Sequence, residues 1–228
     1  MTELVTVGWL TTDDIVLPDG TYRQSVPGGG ALYSAVGSRI WNPHVGIHSV
    51  TGQERLKSSR EQIRRYGIDP AGITAIPGNG LELWLLHETG TDKQQVPRLR
   101  SATAEDMDTG RGPLPQAYRS ARGFHIAPQS PWSSFENLDR LASHTDAIIS
   151  LDLLVDPYID ASHYRRLGFL DKLSAFLPSR EEVATLWSPE DMVNWVRTQS
   201  VEHNCIVAVK MGDAGSIVMD KPNDAVLK

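Results

Sequence analysis

Leu4-Val5-Thr6-Val7-Gly8-Trp9-Leu10 runs without a break into Thr11-Thr12-Asp13-Asp14. The first seven residues are mostly apolar or β-branched, with no polar row to face water. That is the pattern of a strand buried on both faces, as in a parallel sheet. The tetrad that follows gives such a strand a polar end, where ionisable groups meet solvent or a ligand. Asp13 and Asp14 read equally as a binding pair or as a solvated turn after the strand.

Pro18-Asp19-Gly20 is a turn signal between extended pieces at 15–17 and 22–26, a small hairpin. Gly28-Gly29-Gly30 then opens a helix over 31–41, which Asn42-Pro43 stops. A strand at 45–50 precedes a basic amphipathic helix at 53–66, with Gly67 at its C-cap. From 73 to 97 the pattern changes to short extended pieces around Pro77-Gly78-Asn79-Gly80 and Thr89-Gly90-Thr91-Asp92, an inserted β flap. The segment 102–119 is polar, carries Pro113 and Pro115, and is expected to be irregular. Beyond it, strands at 123–127, 147–151, 175–177 and 205–210 alternate with helices at 135–143, 180–187 and 189–199, and a last strand lies at 216–219. Strands alternating with helices predict one α/β domain over 1–228, a parallel sheet covered on both faces, with lid strands within 15–27 and 73–98.

Composition narrows the partners. The 228 residues are 40% hydrophobic and 22% charged, enough for a sizeable core, with a net charge of -6. No Lys/Arg run offers a footprint for nucleic acid or an acidic membrane, so a small molecule is the expected partner. Cys205 is the only cysteine and cannot pair within the chain, and no apolar run is long enough for a bilayer. The expected compartment is the cytoplasm. Several chemistries drop out: no Gly-Lys-Ser/Thr follows the glycines, Tyr33 stands where a dinucleotide fingerprint needs its third glycine, and neither His-Glu-x-x-His nor Gly-x-Ser-x-Gly occurs. A nicotinamide-dependent oxidoreductase is therefore the weakest of the readings kept.

Five local patterns together resemble the ribokinase-like (PfkB-type) carbohydrate kinases over essentially the whole chain. Gly8-Trp9-Leu10-Thr11-Thr12-Asp13 resembles the strand end that carries Asn-x-Asp in that family, with Thr11 in the place of Asn. Gly28 to Ala35 resembles the Gly-Gly segment opening a helix beside the sugar, with Tyr33 where Asn is common. Gly67-Ile68-Asp69 resembles the Gly-Val-Asp that precedes the flap. Ser179-Arg180-Glu181-Glu182 resembles Asn-x-x-Glu, which organises magnesium and phosphate, and is also a capping box. Lys210-Met211-Gly212-Asp213-Ala214-Gly215 resembles the Thr-x-Gly-x-x-Gly along the nucleotide, with Lys210 replacing Thr, and its glycines serve a hairpin turn equally well.

The resemblance implies a three-layer α/β/α ribokinase-like sheet with a β lid, ATP and Mg2+ as cofactors, and a sugar or nucleoside-like substrate held by Thr11, Asp13, Gly29, Gly30 and Tyr33. It assigns Ser179, Glu182, Lys210, Gly212 and Gly215 to the nucleotide and magnesium. Asp152, at the end of a predicted parallel strand, joins them because ligands of open α/β sheets bind there. It allows a homodimer through the flap. The family's Gly-Ala-Gly-Asp, which supplies an anion hole and the catalytic base, does not occur in these residues; Asp108-Thr109-Gly110-Arg111-Gly112 imitates it too early and runs into prolines. The expectation is a kinase that continues past Lys228, with a sheet left C-terminally incomplete and little activity in the 228 residues alone. A non-catalytic sugar- or nucleotide-binding pseudokinase is the alternative.

Overall fold

The computed structural model describes residues 1–88, 93–220 and 225–227. The turn expected at Thr89 to Asp92 lies outside them. The chain divides into two compact units, Met1–Ala121 and Arg122–Lys228.

The first unit contains, in order, β1 (Leu4–Trp9), β2 (Thr11–Val16), β3 (Tyr22–Gly28), α1 (Gly30–Trp41), β4 (Val45–Gly52), α2 (Leu56–Arg65), β5 (Asp69–Ile76), β6 (Leu81–His87), β7 (Lys93–Pro97) and α3 (Ala104–Thr109). Strands β1, β4 and β5 pair in parallel. Helices α1 and α2 pack on one face of them, burying Ala31, Leu32, Ala35 and Ile63 against Val45, Ile47 and Ile73. Burial of each large aliphatic side chain is worth roughly 1.5–3 kcal/mol, more than a helix cap at about 1 kcal/mol. This matters for α1, which starts at Gly29 with no side-chain cap and is held by its packing.

The opposite face is closed by Tyr118, fully buried, whose hydroxyl donates to the Asp69 carbonyl at 2.8 Å. Its ring lies over Gly46 and Gly72, where an added Cβ would come within 2.7 and 2.8 Å of it. The remaining strands form a separate four-stranded sheet in the order β3-β2-β6-β7, the lid.

Four expectations change here. Thr11 to Asp14 is not a turn: it lies in β2, parallel to β6, because the chain leaves β1 after one residue and enters the lid directly. The lid thus reaches back to Thr11, whereas 73–76 pairs with β4 in the body. Helix α2 begins at Leu56 rather than 53, because the amides of Gln53 and Glu54 donate to the Ile76 and Gly78 carbonyls at 2.7 and 3.1 Å. The segment 102–119 holds α3, started by a reciprocal Thr103/Asp106 capping box.

The second unit contains β8 (Gly123–Ile126), α4 (Pro131–His144), β9 (Ile148–Leu151), β10 (Ala175–Phe176), α5 (Arg180–Leu186), α6 (Met192–His203), β11 (Ile206–Lys210), β12 (Ser216–Asp220) and β13 (Ala225–Leu227). Strands β8 to β11 are parallel, with β12 and β13 added antiparallel. Their register aligns Ile126, Leu151, Phe176 and Val207 in one row, all buried, and His125, Ser150, Ala175 and Ile206 in the adjacent row on the other face. Between β9 and β10 two 3-10 turns bring Tyr164 and Phe169 onto Phe135, with ring centroids 5.3 Å apart in both pairs.

Gly72→Ala forces a Cβ to within 2.5 Å of the Ile47 carbonyl as well as onto Tyr118, so it destabilises by at least about 2 kcal/mol. Gly37→Ala, in α1 with no atom within 4 Å, raises stability by about 0.5–1 kcal/mol. Urea unfolding of the two variants beside the parent chain checks the contrast.

Candidate functional site

Two groups of polar side chains are assembled, one in each unit. In the first, Thr11 and Asp13 occupy alternate positions of β2 and so point to the same face of the lid sheet, opposite Gly28 on β3. A Cβ on Gly28 would fall 1.9 Å from Asp13 Oδ2 and 2.8 Å from Thr11 Oγ1. The carboxylate therefore rests on the glycine backbone, at the start of α1. Gly29, at φ 100°, turns the chain there, and its missing Cβ would meet the Trp9 carbonyl at 2.4 Å. Asp13 is 2% exposed. Thr11 Oγ1 is shut off from solvent with no hydrogen-bond partner among the described residues. Tyr33, on the first turn of α1, is largely exposed, and partial desolvation of its phenol, then the charge of Asp13, pushes its pKa up. Thr11, Asp13, Gly29, Gly30 and Tyr33 are thus gathered at one helix N-terminus whose amides no side chain caps.

Asp14 faces the other way. It accepts from the Ser25 amide at 2.7 Å and lies 3.3 Å from Arg98, which also reaches Glu82 at 3.5 Å. Arg55, just ahead of α2, reaches Glu82 at 3.5 Å as well. Both carboxylates are buried. Sequence reading missed this network; its signal was the single acid Glu82 inside the apolar strand Leu81-Glu82-Leu83-Trp84. The Gly-Ala-Gly-Asp imitation has a structural role: Asp108 accepts from the Trp9 indole at 2.9 Å, and a Cβ on Gly110 would strike Ile76 at 2.0 Å.

In the second unit the group forms at the carboxyl ends of β8, β9 and β11. Lys210 Nζ donates to Asp152 Oδ2 at 2.5 Å, while Asp152 Oδ1 accepts from the Leu153 amide at 2.9 Å. Ser179 and Glu182 form a complete capping box on α5, with the Ser179 amide 2.6 Å from Glu182 Oε2. The capping role read from the sequence is therefore realised, and it holds Glu182 rigidly beside the others. Burial, then the negative charge of Asp152, pushes the Glu182 carboxyl above its ordinary range. The Lys210 amide donates to the Pro178 carbonyl at 2.9 Å, which ties the α5 entry to β11. Gly212 and Gly215 adopt φ of 64° and 87° in the turn between β11 and β12, where Met211 N–H donates to the Gly215 carbonyl at 2.8 Å. His125, missed by sequence reading, belongs here: its Nδ1 lies 3.0 Å from Ser150 Oγ. Cys205 is buried and its thiol is pushed up to about 11, which removes it as a nucleophile.

The fold is the ribokinase-like fold. A PfkB protein from Polaromonas sp. JS666 superposes on the whole chain with a TM-score of 0.77 at 14% identity, the chain covering 82% of it. A putative ribokinase II from E. coli, solved with ATP and Mg2+, superposes on the whole chain at 0.72 and 15% identity, with 78% of it covered. By sequence, a cytidine kinase of Thermococcus kodakarensis is 24% identical over 221 residues, 96% of this chain and 77% of that enzyme. No family model matches the sequence. Among the described residues, no helix is long and apolar enough to cross a membrane, and no group of three or more His, Cys, Asp or Glu could hold a metal.

Burial, opposed by Asp152 and reinforced by Lys210, holds the His125 pKa below its ordinary 6.5. The unfolded chain therefore takes up this proton first as pH falls. The stability due to neutral His125 is complete above about pH 6.5 and is lost as pH drops through the folded value. Denaturant unfolding between pH 7.5 and 5 shows that loss, and His125→Gln flattens it.

Proposed function

We propose that the protein is a kinase of the ribokinase type that phosphorylates a hydroxyl of a sugar or nucleoside-like small molecule, with ATP as donor and Mg2+ as cofactor. The observation that carries this reading is the assembly of Thr11 and Asp13 against Gly28 and Gly29 at the uncapped start of α1. A carboxylate only accepts hydrogen bonds, so Asp13 in that form suits a ligand that offers hydroxyl protons, and Thr11 Oγ1 is a buried group left for that ligand to satisfy. The similarity to the cytidine kinase supports the reading and puts nucleosides among the acceptors to try.

Asp13 and Thr11 orient the acceptor, the α1 amides after Gly29 and Gly30 face it, and Tyr33 borders it. The lid sheet excludes water that would otherwise take the phosphoryl group. In the second unit, Lys210 and the turn at Gly212 and Gly215 meet the donor, with Lys210 acting on phosphate as a point charge. Mg2+ takes oxygen ligands and keeps several waters, so two neighbouring carboxylates suffice. Asp152 and Glu182 fit and would hold the ion: Glu182 Oε2 is engaged by the Ser179 amide, which leaves its second oxygen for that role. The ion would neutralise charge on the transferring phosphate. A homodimer through the lid and a cytoplasmic location complete the proposal.

The 228 residues contain no Gly-Ala-Gly-Asp, so we expect them to bind both ligands without efficient transfer. A second reading is a binding protein that keeps a sugar or nucleotide pocket. Thermal stabilisation is measured with ATP–Mg2+ and with a panel of sugars and nucleosides including cytidine, followed by ADP release. The expected result is stabilisation by one acceptor, weakened at least tenfold in Asp13→Asn. Efficient ADP release by the 228 residues overturns the inactivity, and stabilisation by no acceptor and no nucleotide overturns the kinase reading.

A further inference from the structure

Each carboxylate of the second group has one oxygen fixed by a backbone amide: Glu182 Oε2 by Ser179 at 2.6 Å and Asp152 Oδ1 by Leu153 at 2.9 Å. They differ in the other oxygen. Asp152 Oδ2 holds the ammonium of Lys210 at 2.5 Å, the ion pair Lys210 makes among the described residues. The two partners are unequally anchored. Asp152 is 17% exposed at its side chain and locked onto the strand end, whereas Lys210 is 50% exposed. The Lys210 backbone is immobilised by its bond to Pro178 and by the tight turn closed between Met211 and Gly215. Movement is therefore left to the four-carbon stem, which carries the charge several ångströms by rotamer changes alone.

A half-exposed ion pair contributes only about 0.2–1 kcal/mol, so it yields to a ligand bearing several negative charges. We propose that Lys210 and Asp152 are an exchange pair: the ammonium occupies the carboxylate until donor phosphates draw it away, and Asp152 Oδ2, so released, becomes the oxygen that meets the divalent cation. The proposal rests on the donor-site reading above. It makes Lys210 a competitor of the metal when no donor is present and a partner of the phosphates when one is. The two effects carry opposite signs, and the effect on the metal requires Asp152, which a lysine acting only through its charge would not.

The test uses Mn2+ as the metal probe, titrated into the 228-residue protein without nucleotide and followed by water-proton relaxation. Tripolyphosphate, in the absence of metal, is the donor probe in calorimetry. Lys210→Met binds Mn2+ more tightly than the parent chain, by up to about fivefold, the ceiling set by an exposed pair. The same variant binds tripolyphosphate more weakly, and Lys210→Arg restores tripolyphosphate binding. In an Asp152→Asn background, Lys210→Met no longer changes Mn2+ affinity. Lys210→Gln serves as a second neutral variant, and melting curves confirm that each is folded. Unchanged or weaker Mn2+ binding in both neutral variants, or no Mn2+ binding in any form, overturns the exchange. Because neither probe involves an acceptor or turnover, a failed kinase reading leaves this result to stand or fall separately.

Discussion

The close approach of β2 to the loop before α1 governs the first unit. Asp13 can be buried as a carboxylate because Gly28 presents no side chain, and α1 can begin directly beneath it because Gly29 turns at a positive φ against the Trp9 carbonyl. Any side chain at either position would displace the acid or the helix. Burying a polar group is costly unless it is compensated, and the start of α1, whose amides have no side-chain cap, lies beside Asp13. The proposed binding chemistry and the fold thus share one contact: the packing of Ala31, Leu32 and Ala35 that stabilises α1 also fixes where the amides point.

The lid sheet inherits its orientation from that contact. Strand β2 alternates sides, so Asp13 turns to the glycines while Asp14 turns to Arg98 and Glu82. One pair of consecutive acids therefore does two jobs. Asp13 serves the candidate ligand site, whereas Asp14 ties β2 to β6 and β7 through Arg98, and Arg55 carries the same network back to the start of α2. The single residue between β1 and β2 leaves no slack to separate the two functions.

In the second unit the register of four short parallel strands does the equivalent work. It puts every second residue in the core and leaves His125, Ser150, Asp152 and Lys210 on the other row, converging where the strands end. The capping box at Ser179 adds Glu182 to this set while stabilising α5, so the choice between cap and ligand posed by Ser-x-x-Glu does not arise: the cap is what positions the acid.

The alternation of strands and helices, the hairpin at Pro18-Asp19-Gly20, the helix opened by the glycines and most members of both polar groups were legible in the sequence, because they follow from periodicity, turn chemistry and residue type at short range. The sequence did not determine that Thr11 to Asp14 forms a strand, that 73–76 stays with the body, or that α3 interrupts 102–119. Those outcomes depend on which distant backbone groups satisfy one another's hydrogen bonds, as Gln53 and Glu54 do with the β5–β6 turn. Likewise only the tertiary structure separated Asp13 from Asp14, enlisted Glu82, Arg98 and His125, and joined Lys210 to Asp152, since strand pairing and register bring together residues that local sequence cannot relate.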